Sequence, residues 1–216
     1  MLILKFIESI DIFVTLNINS FARQSILFDF MIVMVSKENI IKFFPFVIAI
    51  WWLWFDPSPK LDGKKAATIA ILSSAFSIMI SRLIQNLSVA RPRPMHDVNI
   101  EYILPHFVNS NVLKEWSSLP SDNATLAAAI SMSIFIFYKR AGIFAFIWTF
   151  VIICLPRIYI GFHFLSDLLS GIAIGAGVAI IFHKAPSINR FHGWFQNASS
   201  LYPRVFLAYP VVTHTH

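Results

Sequence analysis

The sequence predicts an all-α fold, a polytopic membrane bundle of five to six spans with an interfacial N-terminal helix, and three observations carry that expectation. The 216 residues are 57% hydrophobic and only 13% charged, where soluble domains carry roughly 25% charged residues. Mean hydropathy is +0.69. The apolar residues collect into runs near 30–54, 66–88, 123–138, 142–160 and 166–183, and about 20 such residues cross a hydrocarbon layer of ~30 Å. Lipid leaves open strand edges unsatisfied, so spans of this kind are helical.

Residues 1–20 set Leu4, Phe6, Ile7, Ile10, Phe13 and Val14 against Lys5, Glu8 and Asp11. That pattern fits an amphipathic helix at the membrane interface or a short sixth span. It lacks the basic start and small-residue cleavage site of a signal peptide. The longest polar excursion, roughly 89–121, holds His96, Asp97, Glu101, His106, Lys114, Glu115 and Trp116. A connection of that length between membrane helices points to function, and a cap over a lipid headgroup is the expected form. Pro186, Pro203 and Pro210 mark a surface tail over 185–216. The chain thus reads as one domain over 1–216 with its core at 30–184.

The single cysteine, Cys154, sits in an apolar run, which rules out a disulfide within the chain and argues against a thiolate metal site. A net charge of +6 would suit nucleic acid only if it were clustered. Here it is scattered over loops, so it reads as membrane orientation and no nucleic-acid partner is expected. Lys60, Lys64, Lys65, Lys139, Arg140, Lys184, Arg190 and Arg204 fall on one side of the spans. Short basic loops stay cytoplasmic, which turns the other side toward the periplasm or exterior of a bacterial inner membrane, although Lys5, Arg23, Lys37 and Lys42 oppose the bias.

Three polar segments fall together on that outward side: Ala90 to Pro94 (Ala-Arg-Pro-Arg-Pro), Leu119 to Ala124 (Leu-Pro-Ser-Asp-Asn-Ala) and Arg157 to Asp167. Arg91 and Arg93 are held by Pro92 and Pro94, which fix φ and end a helix. Ser121 stands at a helix start, where backbone N–H groups favour an anion, though plain N-capping is the commoner role of a serine there. His163 and Asp167 are four residues apart and share a face if helical. A carboxylate on one imidazole nitrogen would leave the other free to attack phosphorus. Arg157 offers a planar fork to phosphoryl oxygens. Ionisable groups are expensive inside membrane sequence, so the set reads as functional. No clustered carboxylates or imidazoles suggest a metal site.

Together the three segments resemble the type 2 phosphatidic acid phosphatase superfamily, whose pattern is Lys-x6-Arg-Pro, Pro-Ser-x-His and Ser-Arg-x5-His-x3-Asp. Within it they look most like the bacitracin-resistance type of undecaprenyl diphosphatase. The resemblance implies a helical bundle, a phosphohistidine intermediate, no metal or other cofactor, and a polyprenyl or other lipid phosphate as substrate. It implies phosphate binding by Arg93, Ser121 and Arg157, with Arg91 and Asn86 beside them, nucleophilic attack by His163, and orientation by Asp167. No protein partner is inferred, and membrane lipids are the surroundings.

Three positions depart from the pattern. Asn86 replaces the first lysine, Pro156 replaces the third-segment serine, and Asn123 replaces the histidine that protonates the leaving group. An amide donates a hydrogen bond but no proton. An alkoxide leaving group, with a conjugate-acid pKa near ~15.7, needs that proton. A lipid phosphate leaving from a diphosphate, with a second pKa of about 6, does not. The expected activity is therefore hydrolysis of a lipid diphosphate such as undecaprenyl diphosphate. Transfer to a lipid acceptor, or lipid-phosphate binding or transport without catalysis, are the alternatives.

Overall fold

The computed structural model describes residues 2–56, 62–114, 116–186 and 190; Lys60, Glu115, Arg204 and most of the expected tail lie outside them. Eight α-helices follow in order: α1 Leu2–Asn19, α2 Ile26–Lys37, α3 Asn39–Phe55, α4 Gly63–Leu87, α5 Asp122–Phe137, α6 Lys139–Trp148, α7 Leu155–Tyr159 and α8 Leu165–Lys184. A π-helical stretch, Thr149–Cys154, joins α6 to α7, and Lys139–Tyr159 is one apolar run. Among the described residues three stretches are long and apolar enough to cross a membrane: Gly63–Leu87, Lys139–Tyr159 and Leu165–Lys184; α3 and α5 are shorter apolar helices. Phe76, Met79, Leu83, Phe144, Ile147 and Ile181 point outward from these spans, as side chains facing hydrocarbon do.

The expected run at 30–54 is two helices. Ser36, Lys37 and Glu38 interrupt it, Glu38 is extended (φ −77°, ψ 110°), and the buried Lys42 Nζ donates to the Ser36 carbonyl at 2.6 Å. Helix α1 turns one polar row inward and leaves Lys5 and Glu8 exposed. Asp11, Thr15 and Asn19, spaced one turn apart, are buried, while Ile3, Phe6 and Phe13 are exposed. An interfacial helix would hold its polar side in water; this one sets that row against the bundle.

Helix α5 is central and lined with small side chains, Ala124, Ala127, Ala128, Ala129, Ser131 and Ser133 all being buried. Close backbone approach is the usual way membrane helices associate. A Cβ on Gly175 of α8 would stand 2.1 Å from the Thr125 carbonyl oxygen, so only glycine permits this crossing. The crossing brings the two helix starts together, and the Ser121 N–H donates to the Asp167 carbonyl at 3.1 Å. On the other side of α5, Phe46, Leu53, Ala66, Ala70, Ile130 and Ile153 form an apolar core.

The polar excursion after α4 is bolted to the N-terminal helices. Asn19 exchanges two hydrogen bonds with the backbone of Ile103, at 2.7 and 2.8 Å. Arg23 Nε donates to the Leu104 carbonyl and Lys37 Nζ to that of Phe107, each at 2.8 Å. The buried Asp29 accepts from the His106 backbone at 2.8 Å and its ring at 2.7 Å, and from the Tyr159 hydroxyl. These contacts aim Leu113 and Trp116 at the cavity described next.

Candidate active site

Between the ends of α4, α5 and α7 lies a cavity of about 210 Å³. Pockets that enclose whole drug-sized ligands run to roughly 300–1,000 Å³, so this one is sized for a headgroup. Its wall is cationic: Arg82, Arg93 and Arg157 face one carboxylate, Asp122, with His163, Asn123, Gln85, Leu113 and Trp116 completing it.

Each side chain is aimed by its backbone. The chain leaves α4 at Ser88 in extended form, which lets Arg93 reach inward. Its Nη1 donates to the Phe162 carbonyl at 2.7 Å and Nη2 to that of Ser117 at 3.3 Å, while its Nε is buried with no partner. Burial pulls the Arg93 pKa down, against the restoring charges of Asp167 and Asp122. Ser121 is the N-cap of α5 yet makes no side-chain cap bond; its Oγ is fully buried and unpartnered. With its amide set so that oxygen meets donors, Asn123 accepts from Arg157 Nη2 at 2.6 Å and Nε at 3.2 Å.

After α7 the chain turns at Gly161, whose φ of +73° is the left-handed region that side chains avoid. A Cβ there would also meet the Tyr102 ring at 2.7 Å. The turn delivers His163, buried, ahead of α8 rather than on it. Its Nδ1–H donates to the Ser118 carbonyl at 2.8 Å, which fixes the tautomer and leaves Nε2 with its lone pair. Burial, and then the positive charges of Arg157 and Arg93, hold the imidazole pKa well below the ordinary histidine value, so the ring is neutral at neutral pH.

Three expectations need correction. His163 and Asp167 do not share a helix and their contact is too long for a hydrogen bond: Asp167 Oδ2 stands 3.9 Å from Nδ1 and accepts from the Phe164 N–H at 2.8 Å. The backbone of Ser118 does the orienting, because His163 precedes the helix. Arg91 does not line the cavity. Its guanidinium is taken by Asp167 Oδ1 at 2.6 Å and Asp11 Oδ2 at 2.7 Å. Asn86 is exposed at the end of α4, and its neighbour Gln85 lines the cavity in its place.

Sequence reasoning missed Arg82, Gln85, Asp122, Trp116 and Asp11. Asp122 accepts from Ser81 Oγ at 2.6 Å, Gln85 Nε2 at 2.9 Å and Arg82 Nη2 at 2.7 Å. Asp11 accepts from the Ser166 N–H at 2.8 Å and Ser166 Oγ at 2.5 Å as well as from Arg91. The readable signal for Arg82 was a charge inside an apolar span. Histidines 96 and 106 are engaged elsewhere, His96 Nε2 against the Val112 carbonyl at 3.0 Å and His106 on Asp29. Among the described residues no three His, Cys, Asp or Glu side chains are grouped to hold a metal ion.

A histidine with a free Nε2 beside cations with spare donors could hold and attack a phosphoryl group. Residues 86–191 match the PAP2 superfamily profile. The fold is shared with a transmembrane PAP2-type phosphatidylglycerolphosphate phosphatase from Bacillus subtilis, at TM-score 0.54 and 15% identity over 85% of each chain. It is also shared with LpxE from Aquifex aeolicus, at TM-score 0.51 and 23% identity over 78% of this chain and 91% of that one. No curated protein matches the sequence. The profile covers just under half of the chain, and the two solved structures share its fold.

Proposed function

We propose that the protein is a lipid diphosphate phosphatase that releases phosphate from a polyprenyl diphosphate of the undecaprenyl type. The observation that carries the reading is His163, neutral and with Nε2 free, beside two guanidinium groups and with no second imidazole on the cavity wall among the described residues.

In the first step Nε2 attacks the terminal phosphorus. The bond from phosphorus to the bridging oxygen breaks, and its electron pair leaves with the lipid monophosphate. That group has a second pKa of about 6 and departs without a proton. The phosphorylated ring gains positive charge, which the Ser118 carbonyl and the Asp167 carboxylate 3.9 Å away stabilise. Arg93 and Arg157 hold the phosphoryl oxygens, and the buried Ser121 hydroxyl and Arg93 Nε find in them the acceptors they lack. In the second step water attacks phosphorus, the P–N bond breaks, Nε2 recovers its lone pair, and the water's proton leaves on inorganic phosphate. Asn123 holds Arg157 by accepting from it and supplies no proton.

The cavity faces the periplasm or exterior of a bacterial plasma membrane in this reading. Lys64, Lys65, Lys139, Arg140 and Lys184 lie at the opposite helix ends, as short cytoplasmic loops require. The test is phosphate release in detergent, with EDTA present, from a polyprenyl diphosphate and from the corresponding monophosphate. Fast release from the diphosphate alone supports the reading, and Asn123→His should then admit the monophosphate. Preference for the monophosphate, or strict dependence on a divalent ion, would overturn it.

A further inference from the structure

We propose that Arg82, set by Asp122 and Trp116, is the subsite for the second phosphoryl group of a diphosphate, the one that stays with the lipid; this rests on the phosphatase reading above. The cavity's three guanidinium groups are held in two different ways. Arg93 and Arg157 are inner groups. The first is buried against the Phe162 and Ser117 carbonyls, and the second is bound by Asn123 and packed 5.6 Å from the Phe162 ring. Both bracket His163. Arg82 stands apart on α4, with 49% of its side chain accessible, and still lines the same cavity.

Its guanidinium lies 5.4 Å from the centre of the Trp116 ring, and Nη2 is 2.7 Å from Asp122 Oδ2. A long, mobile side chain is thereby held flat at the cavity wall by a carboxylate that Ser81 and Gln85 hold in turn. Arginine presents five donors in a planar fork, and one atom of this fork is spent on Asp122. Nε and Nη1 are left for a ligand.

Charge supports the assignment. Arg93 and Arg157 are the cations at the attacking nitrogen, enough for one phosphoryl dianion. A diphosphate brings more negative charge, and it lies beyond the reacting phosphorus, toward the lipid. Arg82 stands on α4 beside the outward-facing Met79 and Leu83, the surface along which a lipid chain would run, so its accessible guanidinium meets that charge. The bland alternative is a surface ion pair tying α4 to the start of α5. Such a pair is worth ~0–1 kcal/mol, and it gives no reason for substrate discrimination.

The experiment uses the full chain in detergent and compares wild type, Arg82→Ala and Arg82→Lys. Substrates are a short polyprenyl diphosphate and, with each Arg82 form placed in the Asn123→His background that admits it, the monophosphate of the same alcohol, and calorimetry follows inorganic pyrophosphate and orthophosphate. Charge-assisted contacts of this kind are worth about a factor of 10 to 100. Arg82→Ala should raise the KM for the diphosphate by about that factor, leave kcat within about threefold, and leave the monophosphate constants within about twofold. Arg82→Lys, which keeps charge and ion pair but loses the fork, should recover only part of the loss, and it serves alone should the alanine variant fail to fold.

Equal effects on both substrates, or none, would overturn the subsite. If wild type fails to favour the diphosphate in turnover, the phosphatase reading fails while pyrophosphate binding still decides the subsite. A preference for pyrophosphate over orthophosphate that Arg82→Ala abolishes upholds it. No such preference in wild type removes it.

Discussion

Behind His163, the charged groups are knitted together: Asp167 to Arg91, Arg91 to Asp11, and Asp11 to the backbone and hydroxyl of Ser166. By contrast, Arg93 Nε, on a residue that lines the cavity, and Ser121 Oγ, at the start of α5, are buried with nothing to bond. Leaving a buried donor unmade costs about 1–3 kcal/mol, and a chain of this size has little stability to spare. The satisfied side fixes geometry. In the proposed function the unsatisfied side receives an anion. The satisfied side also draws on α1, which lies outside the 86–191 segment that matches the family, so the N-terminal helix is part of the site's frame.

This contrast can be broken from either side. The largest effect is expected from His163→Ala, which should lower kcat by ~10⁴-fold or more, since loss of a covalent nucleophile removes the pathway; single-turnover kinetics would read it. Next comes the rear network. Arg91→Ala strands two buried carboxylates and should destabilise the protein by about 3–5 kcal/mol. Adding Asp11→Asn should restore part of that loss, giving a coupling visible in a double-mutant cycle of thermal unfolding. Additive effects would dismantle the network.

Ser121→Ala should do the reverse of Arg91→Ala. Activity should fall roughly 10²–10³-fold, as for loss of one transition-state donor, while thermal stability stays level or rises because an unsatisfied buried hydroxyl is gone. A clear drop in stability would make Ser121 a structural cap instead.

The smallest effect is in pH. His163 attacks when neutral, and burial with Arg157 and Arg93 holds its pKa well below ~6.5. The neutral form persists above that lowered value, so kcat/KM should stay flat as pH falls through 6.5 and drop only below it. Arg93→Ala should move the acid limb upward. A wild-type limb at or above 6.5 would contradict the burial argument.

Much of the site was legible because its chemistry is local in sequence. Two arginines between prolines, a serine at a helix start and a histidine after a glycine turn can be read from residue type and spacing. What could not be read depends on which face of a helix points inward. Asn86 and Gln85 differ by one residue, and a rotation of about 100° per residue puts one in solvent and the other on the cavity wall. Arg91 and Arg93 look equivalent in sequence, yet only the packing of α1 decides that Asp11 claims the first. The break at Glu38 is written in the sequence as Ser36-Lys37-Glu38, but apolar residues on both sides make 30–54 read as one run. The His163–Asp167 spacing suggested a helical pair because the turn at Gly161, which delays the helix to Leu165, rests on a long-range contact with Tyr102.

The central claim is that His163 accepts a phosphoryl group from a lipid diphosphate without a metal. Its most direct test mixes the protein, in EDTA, with a polyprenyl diphosphate carrying labelled terminal phosphate, followed by an alkaline quench. A label on the protein should be stable to base, lost in acid, present in wild type and absent in His163→Ala. A label that survives in His163→Ala, or phosphate release in wild type with no protein-bound label at the earliest times, would contradict it.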